Sequence, residues 1–259
     1  MELKNKVVLI TGASSGIGWA CAHAFAKRGA RLALAARRMD RLEALEKELP
    51  PGVDVLKIAC DVKDKKQVSA AVEQTVKKWE SVDVLINNAG ILWTGDWEKQ
   101  ELESVEDVMA TNYLGCVYFM KAVLPHMRRK NSGHIVNVAS IAGILGLPHM
   151  ASYCASKFAL VGLTESLRRE YYGTGISLTA LCPGLVDTPM GAKAVKNGKR
   201  LRMAKTPEGV AHKIVDAVER QVPEVVYGET PGFLLRLSHF FPKTTDWAVH
   251  KAVEKMHKG

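Results

Sequence analysis

The stretch Val7-Val8-Leu9-Ile10-Thr11-Gly12-Ala13-Ser14-Ser15-Gly16-Ile17-Gly18 decides how the rest of the chain reads. Four aliphatic residues in a row, three of them β-branched, predict a short strand buried on both faces. The glycines behind them allow a tight turn, and a helical pattern over Gly16–Arg28 starts at once. A helix N-terminus behind glycines offers unpaired N–H groups and the positive end of a dipole to a phosphate. The spacing here is G-x-x-x-G-x-G, not the G-x-G-x-x-G dinucleotide fingerprint, and taken alone the turn also suits a corner with no ligand.

The same alternation continues outward from this turn. Short apolar runs at Val7–Ile10, Arg31–Ala35, Val53–Ala59, Val82–Asn87, His134–Val138, Ser177–Leu181 and Glu224–Tyr227 predict seven strands. Helical patterns lie between them at Gly16–Arg28, Asp40–Leu49, Lys65–Trp79, Val105–Arg129, Ser152–Tyr172 and Pro207–Gln221, the last opened by Thr206 as N-cap and Pro207 at the first helical position. Strands alternating with helices predict an α/β protein: a doubly wound parallel sheet in a single domain over residues 1–259. Pro189–Lys205 carries Lys193, Lys196, Lys199, Arg200, Arg202 and Lys205 without a strand pattern and reads as a mobile lid. Residues 229–259 form a variable C-terminal segment.

Composition narrows the function. With 47% hydrophobic and 24% charged residues the chain is neither disordered nor fibrous. A net charge of +9 favours anionic partners, yet no basic helix, zinc module or aromatic-basic strand motif points to nucleic acid. Five cysteines, an odd number with no C-x-x-C pair, read as reduced and buried, and no metal site is expected. Met1–Lys6 runs straight into a strand and no apolar stretch reaches the ~18 residues of a membrane span, so a cytoplasmic protein is expected.

Further along stand Asn87-Asn88-Ala89-Gly90 closing the fourth strand, Asn112, Ser140 after the fifth strand, Tyr153-Cys154-Ala155-Ser156-Lys157 and Pro183-Gly184. With Thr11–Gly18 their order and spacing resemble the short-chain dehydrogenase/reductase family, over about Lys4 to Met190. The resemblance implies a Rossmann-type sheet of order 3-2-1-4-5-6-7, a nicotinamide cofactor and hydride transfer between an alcohol and a carbonyl. It also implies that Tyr153 is the acid/base, that Lys157 binds the nicotinamide ribose, and that Asn112 anchors a water in a proton relay to the lysine. Elementary chemistry agrees. Residues four apart share a helix face, so Tyr153 and Lys157 can enter one cleft. A nearby ammonium favours phenolate and lowers a tyrosine pKa from ~10 by about 1–3 units. Ser140, thirteen residues before Tyr153, can hold the substrate oxygen where charge develops.

The second strand ends in Ala35-Ala36-Arg37-Arg38-Met39-Asp40. Where NAD enzymes carry an acid for the ribose hydroxyls, this chain has Arg37 and Arg38, which suit the 2′-phosphate of NADP. NADPH is therefore expected over NADH, with Ser14, Ser15, Gly16 and Ile17 at the phosphates and Asp40 as cap of the next helix. The resemblance adds Asp61 and Val62 at the adenine, Asn88, Ala89 and Gly90 beside Gly12 and Gly18, and Pro183, Gly184, Val186 and Thr188 at the nicotinamide. Leu145, Leu147, Met150, Met190 and Met203 suggest an apolar carbonyl or alcohol substrate, with His149 a candidate beside them. The rival reading is a catalytically idle NADP-binding sensor of the same fold.

Val117, Phe119, Phe158 and Leu160 give two long helices apolar residues on more than one face, predicting a homodimer or homotetramer. The tail, Gly232-Phe233-Leu234-Leu235-Arg236-Leu237-Ser238-His239-Phe240-Phe241-Pro242 with Trp247, His250 and Lys251, mixes apolar and basic residues. Packing on its own subunit or a neighbour ranks first, a border of the substrate entrance second, and peripheral membrane contact behind both.

Overall fold

The computed structural model describes residues 1–194, 204–229 and 232–258, with side chains of the last helix described as far as Lys251. Seven parallel strands form one sheet, ordered β3-β2-β1-β4-β5-β6-β7. These are β1 (Val7–Thr11), β2 (Arg31–Ala36), β3 (Val55–Ala59), β4 (Val84–Asn87), β5 (Gly133–Val138), β6 (Ile176–Pro183) and β7 (Glu224–Tyr227). The helices are α1 (Gly16–Ala26), α2 (Met39–Glu48), α3 (Lys65–Trp79), α4 (Leu102–Met109), α5 (Gly115–Lys130), α6 (Ala151–Glu170), α7 (Pro189–Lys193), α8 (Pro207–Arg220), α9 (Gly232–Leu237) and α10 (Pro242–Lys258).

Alternation along the strands builds two cores. Val8 and Ile10 of β1 pack with Phe25 of α1, Leu42 of α2 and Ile214 of α8, while Leu9 between them faces Val72 of α3, Phe119 of α5 and Leu160 of α6. The strand order reverses between β1 and β4, and the crevice outside their carboxyl ends is where a doubly wound sheet receives ligands.

Several local expectations need correction. The single helix expected over Val105–Arg129 is α4 and α5 joined by a π turn at Ala110–Leu114, which inserts one extra residue and turns Asn112 inward. Asp40 does not cap α2: the helix begins one residue earlier, with Arg38 at the N-cap and Asp40 inside the first turn. Phe119 and Leu160 are completely buried against the sheet of their own chain, so only Phe158 and the half-buried Val117 remain of the apolar residues that predicted an oligomer.

Beyond β6, Thr188 caps α7, its Oγ1 accepting from the Gly191 N–H at 3.0 Å. Lys196, Lys199, Arg200, Arg202 and Met203 lie outside the described residues. The chain returns at Lys205, which exchanges backbone hydrogen bonds of 2.9 Å with Leu185 and Asp187. Thr206 caps α8 through the Gly209 N–H as expected. All five cysteines are free and buried. Among the described residues no helix is long and apolar enough to cross a membrane.

Candidate active site

The turn after β1 is shaped by close approach. Gly12 and Gly16 take left-handed backbone angles, φ 65° and 57°. A Cβ on Gly18 would sit 2.4 Å from the Gly12 carbonyl oxygen, so α1 reaches the turn only with glycine there. Asn88 braces the turn from β4: its Nδ2 donates to the Thr11 and Gly12 carbonyls at 2.9 and 3.3 Å, and the Thr11 hydroxyl accepts from the N–H groups of Asn88 and Ala89. The Asn88 amide therefore supports the turn, a role that the sequence reading had not assigned.

Ser15 at the N-cap of α1 makes no side-chain capping bond, and the first turn holds no acid. Its N–H groups and dipole are thus left to an anion. Arg38 leans in from β2, Nη2 donating to Ser14 Oγ at 3.0 Å. Cations and hydroxyls without a carboxylate are a donor set for phosphate, and the residues present fit a dinucleotide in this cradle.

A cavity of about 930 Å³ runs from this cradle along the carboxyl ends of the strands. It is lined by Gly12, Ser14, Ser15, Gly16, Ile17, Arg37, Arg38, Asp61, Val62, Asn88, Ala89 and Gly90, then by Ser140, Tyr153, Lys157, Pro183, Gly184, Val186 and Thr188. Of the described residues expected at the site only Gly18 and Asn112 do not line it. Both are buried and shape it from behind.

Ser140 follows β5, and its Oγ accepts from the Ala142 N–H at 3.1 Å, starting a short 3-10 turn. Tyr153, in the first turn of α6, stands beside Ser140, whose hydroxyl pulls on the phenol. Lys157, one turn further, donates from Nζ to the Val138 carbonyl at 2.8 Å and lies 5.7 Å from the centre of the Tyr153 ring. Burial pushes the Tyr153 phenol up to about 12, against the opposing pull of the Ser140 hydroxyl, and burial pushes Lys157 down. The sequence spacing predicts that the ammonium lowers the phenol, whereas in the protein alone desolvation is the largest influence on it and acts the other way. Tyr153 is consequently a protonated donor at neutral pH.

Asn112 holds the wall. Its Oδ1 accepts from the Ile91 N–H at 2.8 Å, and its Nδ2 donates to the Ile91 carbonyl at 2.9 Å and to Ser156 Oγ at 3.0 Å. These bonds tie the loop after Gly90 to α6, so the Asn112 side chain braces the wall of the cavity without lining it.

The apolar end of the cavity contains Leu145, Leu147, Met150 and Met190, as expected, together with His149. Trp93, Asp96, Lys99 and Leu235 were missed, since no periodicity marks a loop residue that folds over a cleft. His149 has φ 62°, accepts the Gly95 N–H on its carbonyl at 2.9 Å and pairs with Asp96 at 3.3 Å, joining the two loops that flank this end.

The sequence pattern of the family described as short chain dehydrogenase matches residues 6–199. A dehydrogenase/reductase SDR family protein 7-like of Anopheles gambiae is 33% identical over 271 residues, covering 99% of this chain and 86% of its own. The solved short chain dehydrogenase/reductase of Burkholderia phymatum in complex with NAD superposes with a TM-score of 0.84 at 28% identity, covering 94% of this chain and 96% of that one. An alcohol dehydrogenase from Thermococcus sibiricus complexed with 5-hydroxy-NADP gives 0.79 at 30% identity, covering 86% and 96%. With its sheet order, its glycine cradle and its Ser140, Tyr153 and Lys157 gathered in one cavity, this chain belongs to the short-chain dehydrogenase family of oxidoreductases.

Proposed function

We propose that this protein is an NADP-dependent reductase of apolar carbonyl compounds, with Tyr153 as the acid/base. The observation that carries the reading is that Ser140, Tyr153 and Lys157 meet in one cavity whose other end presents Arg38 and Ser14. The nicotinamide, when bound, supplies the hydride in reduction and accepts it in oxidation. Ser140 Oγ holds the substrate oxygen next to the Tyr153 hydroxyl. As charge grows on that oxygen, Tyr153 releases its proton to it, and the burial that keeps the phenol protonated keeps the acid loaded. The ammonium of Lys157 stabilises the phenolate left behind and would hold the nicotinamide ribose. Arg37 and Arg38 favour the 2′-phosphate, and Asp61 and Val62 border the adenine. Leu145, Leu147, Met150 and Met190 select an apolar body. Assembly of Ser140, Tyr153 and Lys157 in one cavity, with Asn112 behind its wall, favours this reading over an idle sensor, which needs none of them.

The test is consumption of NADPH and of NADH against a panel of apolar aldehydes and ketones. Turnover with NADPH, at least about tenfold faster per unit concentration than with NADH, is the expected result. Equal use of the two cofactors contradicts the arginine assignment, and no turnover across the panel contradicts the reductase reading.

A further inference from the structure

Six of the large apolar side chains exposed among the described residues crowd into one short segment: Phe233, Leu234, Leu237, Phe240, Phe241 and Trp247. Phe240 is 76% exposed and Trp247 65%. The inner side of the same segment is already satisfied. Leu235 is buried and lines the catalytic cavity, Arg236 pairs with Glu165 and Glu224, and the His239 ring meets Phe158 edge-on at 6.5 Å. Thr245 and Val249 turn toward the loop at Leu145–Pro148. α9 is therefore fixed to the protein by one side, α10 follows it through the bond from Thr245 Oγ1 to the Ser238 carbonyl, and both present aromatic residues to solvent.

Chemistry identifies what covers that outer side. Lys243, Trp247 and Lys251 are spaced four apart on α10 and form one exposed stripe, a lysine on either side of an indole. From Gly232 to Gly259 the chain carries five Lys and Arg against two Asp and Glu, within a protein of net charge +9. A second copy docked about a twofold axis would bring this basic segment against itself. Anionic headgroups complement the lysines, and the acyl boundary beneath them takes the aromatic rings. We propose that α9 and α10 dock the protein on an anionic lipid surface, with α10 lying in the plane of the interface. Membrane contact, ranked last from the sequence, moves ahead because the tail packs through only half of its surface. Leu235 then sets the apolar end of the cavity beside the lipid, a consequence that rests on the proposed reductase function, whereas the docking does not.

The full-length protein is to be sedimented with vesicles of phosphatidylcholine alone and of phosphatidylcholine mixed with phosphatidylglycerol. Binding to the anionic vesicles, weak on the neutral ones and reduced by salt, is expected. The triple variant Phe240→Ser, Phe241→Ser, Trp247→Ser should lose binding on the order of tenfold or more, and Lys243→Glu with Lys251→Glu by a similar factor. Unchanged melting temperature shows that each variant is folded, and since the substituted side chains are exposed, none is needed for the core. No binding to anionic vesicles, or binding that both variants retain, overturns the proposal. So does a dimer, seen by light scattering, that the triple variant dissociates while the parent ignores vesicles, because a second copy then covers the face. Loss of turnover in the carbonyl panel leaves these readouts untouched.

Discussion

The two ends of the sheet both bury polar groups, and they use them differently. At the amino end Asp83 accepts from the Val7 N–H at 2.9 Å and from Lys130 at 2.6 Å, and the His134 ring bonds the Thr179 hydroxyl at 2.8 Å inside the protein. Every one of these bonds closes on the protein itself, and none of the groups lines the cavity. At the carboxyl end Ser140 and Lys157 also bond to the backbone and Tyr153 stands beside both, but each of the three keeps a surface in a cavity of about 930 Å³. Burial and shifted pKa values occur at both ends. What separates a site from a structural network is an open volume in front of the titratable atoms.

That contrast can be broken by substitutions that should divide into activity and stability. The largest effect expected is from Ser140→Ala, which removes a donor at the substrate oxygen and should cost about 100- to 1,000-fold in kcat, with a smaller fall in Tm from the Ala142 N–H that loses its acceptor. Asp83→Ala should do the reverse. It leaves the Val7 N–H without an acceptor and should lower stability by about 2–4 kcal/mol in denaturant titration, while turnover per folded molecule is kept. Burial holds Asp83 up, but Lys130 and the Val7 N–H together pull it below the usual carboxylate range. Its contribution is therefore present above that range and lost as pH falls through its lowered value.

Acid should also act through His134, which burial lowers from 6.5 to about 4. The unfolded chain takes up this proton before the folded one, so stability present above pH 6.5 is lost as pH falls toward 4, by roughly 3 kcal/mol. Melting curves between neutral and acid pH check this, and His134→Gln should flatten the decline. The smallest effect sharpens the functional end alone: replacing Arg37 and Arg38 by Ala should remove about 1.5–3 kcal/mol of preference, shrinking the NADPH to NADH ratio by about 10- to 150-fold at unchanged Tm.

Legibility in the sequence followed the same division. The glycine turn could be read because backbone angles of 65° and 57° demand a particular residue, and Tyr153 with Lys157 because helix geometry converts a spacing of four into a shared face. The seven strands stood out because parallel strands buried on both faces leave continuous apolar runs. The π turn did not, since Ala110–Leu114 has the residue types of an ordinary helix and its extra residue is imposed by the contacts of Asn112. Nor did the protonated state of Tyr153, because spacing places the ammonium near the ring but says nothing of the desolvation that outweighs it. The outward face of the tail needed the positions of Leu235 and Arg236, which decide which side of an amphipathic segment is already covered.

The most direct measurement is of Tyr153→Phe by three readouts on one preparation: NADPH affinity by fluorescence titration, melting temperature, and turnover of the best carbonyl by absorbance. The substitution removes the hydroxyl and keeps the ring. Unchanged NADPH affinity and melting temperature, with turnover lower by about 100-fold or more, are expected. Turnover within about tenfold of the parent would contradict this and take Tyr153 out of the acid/base role.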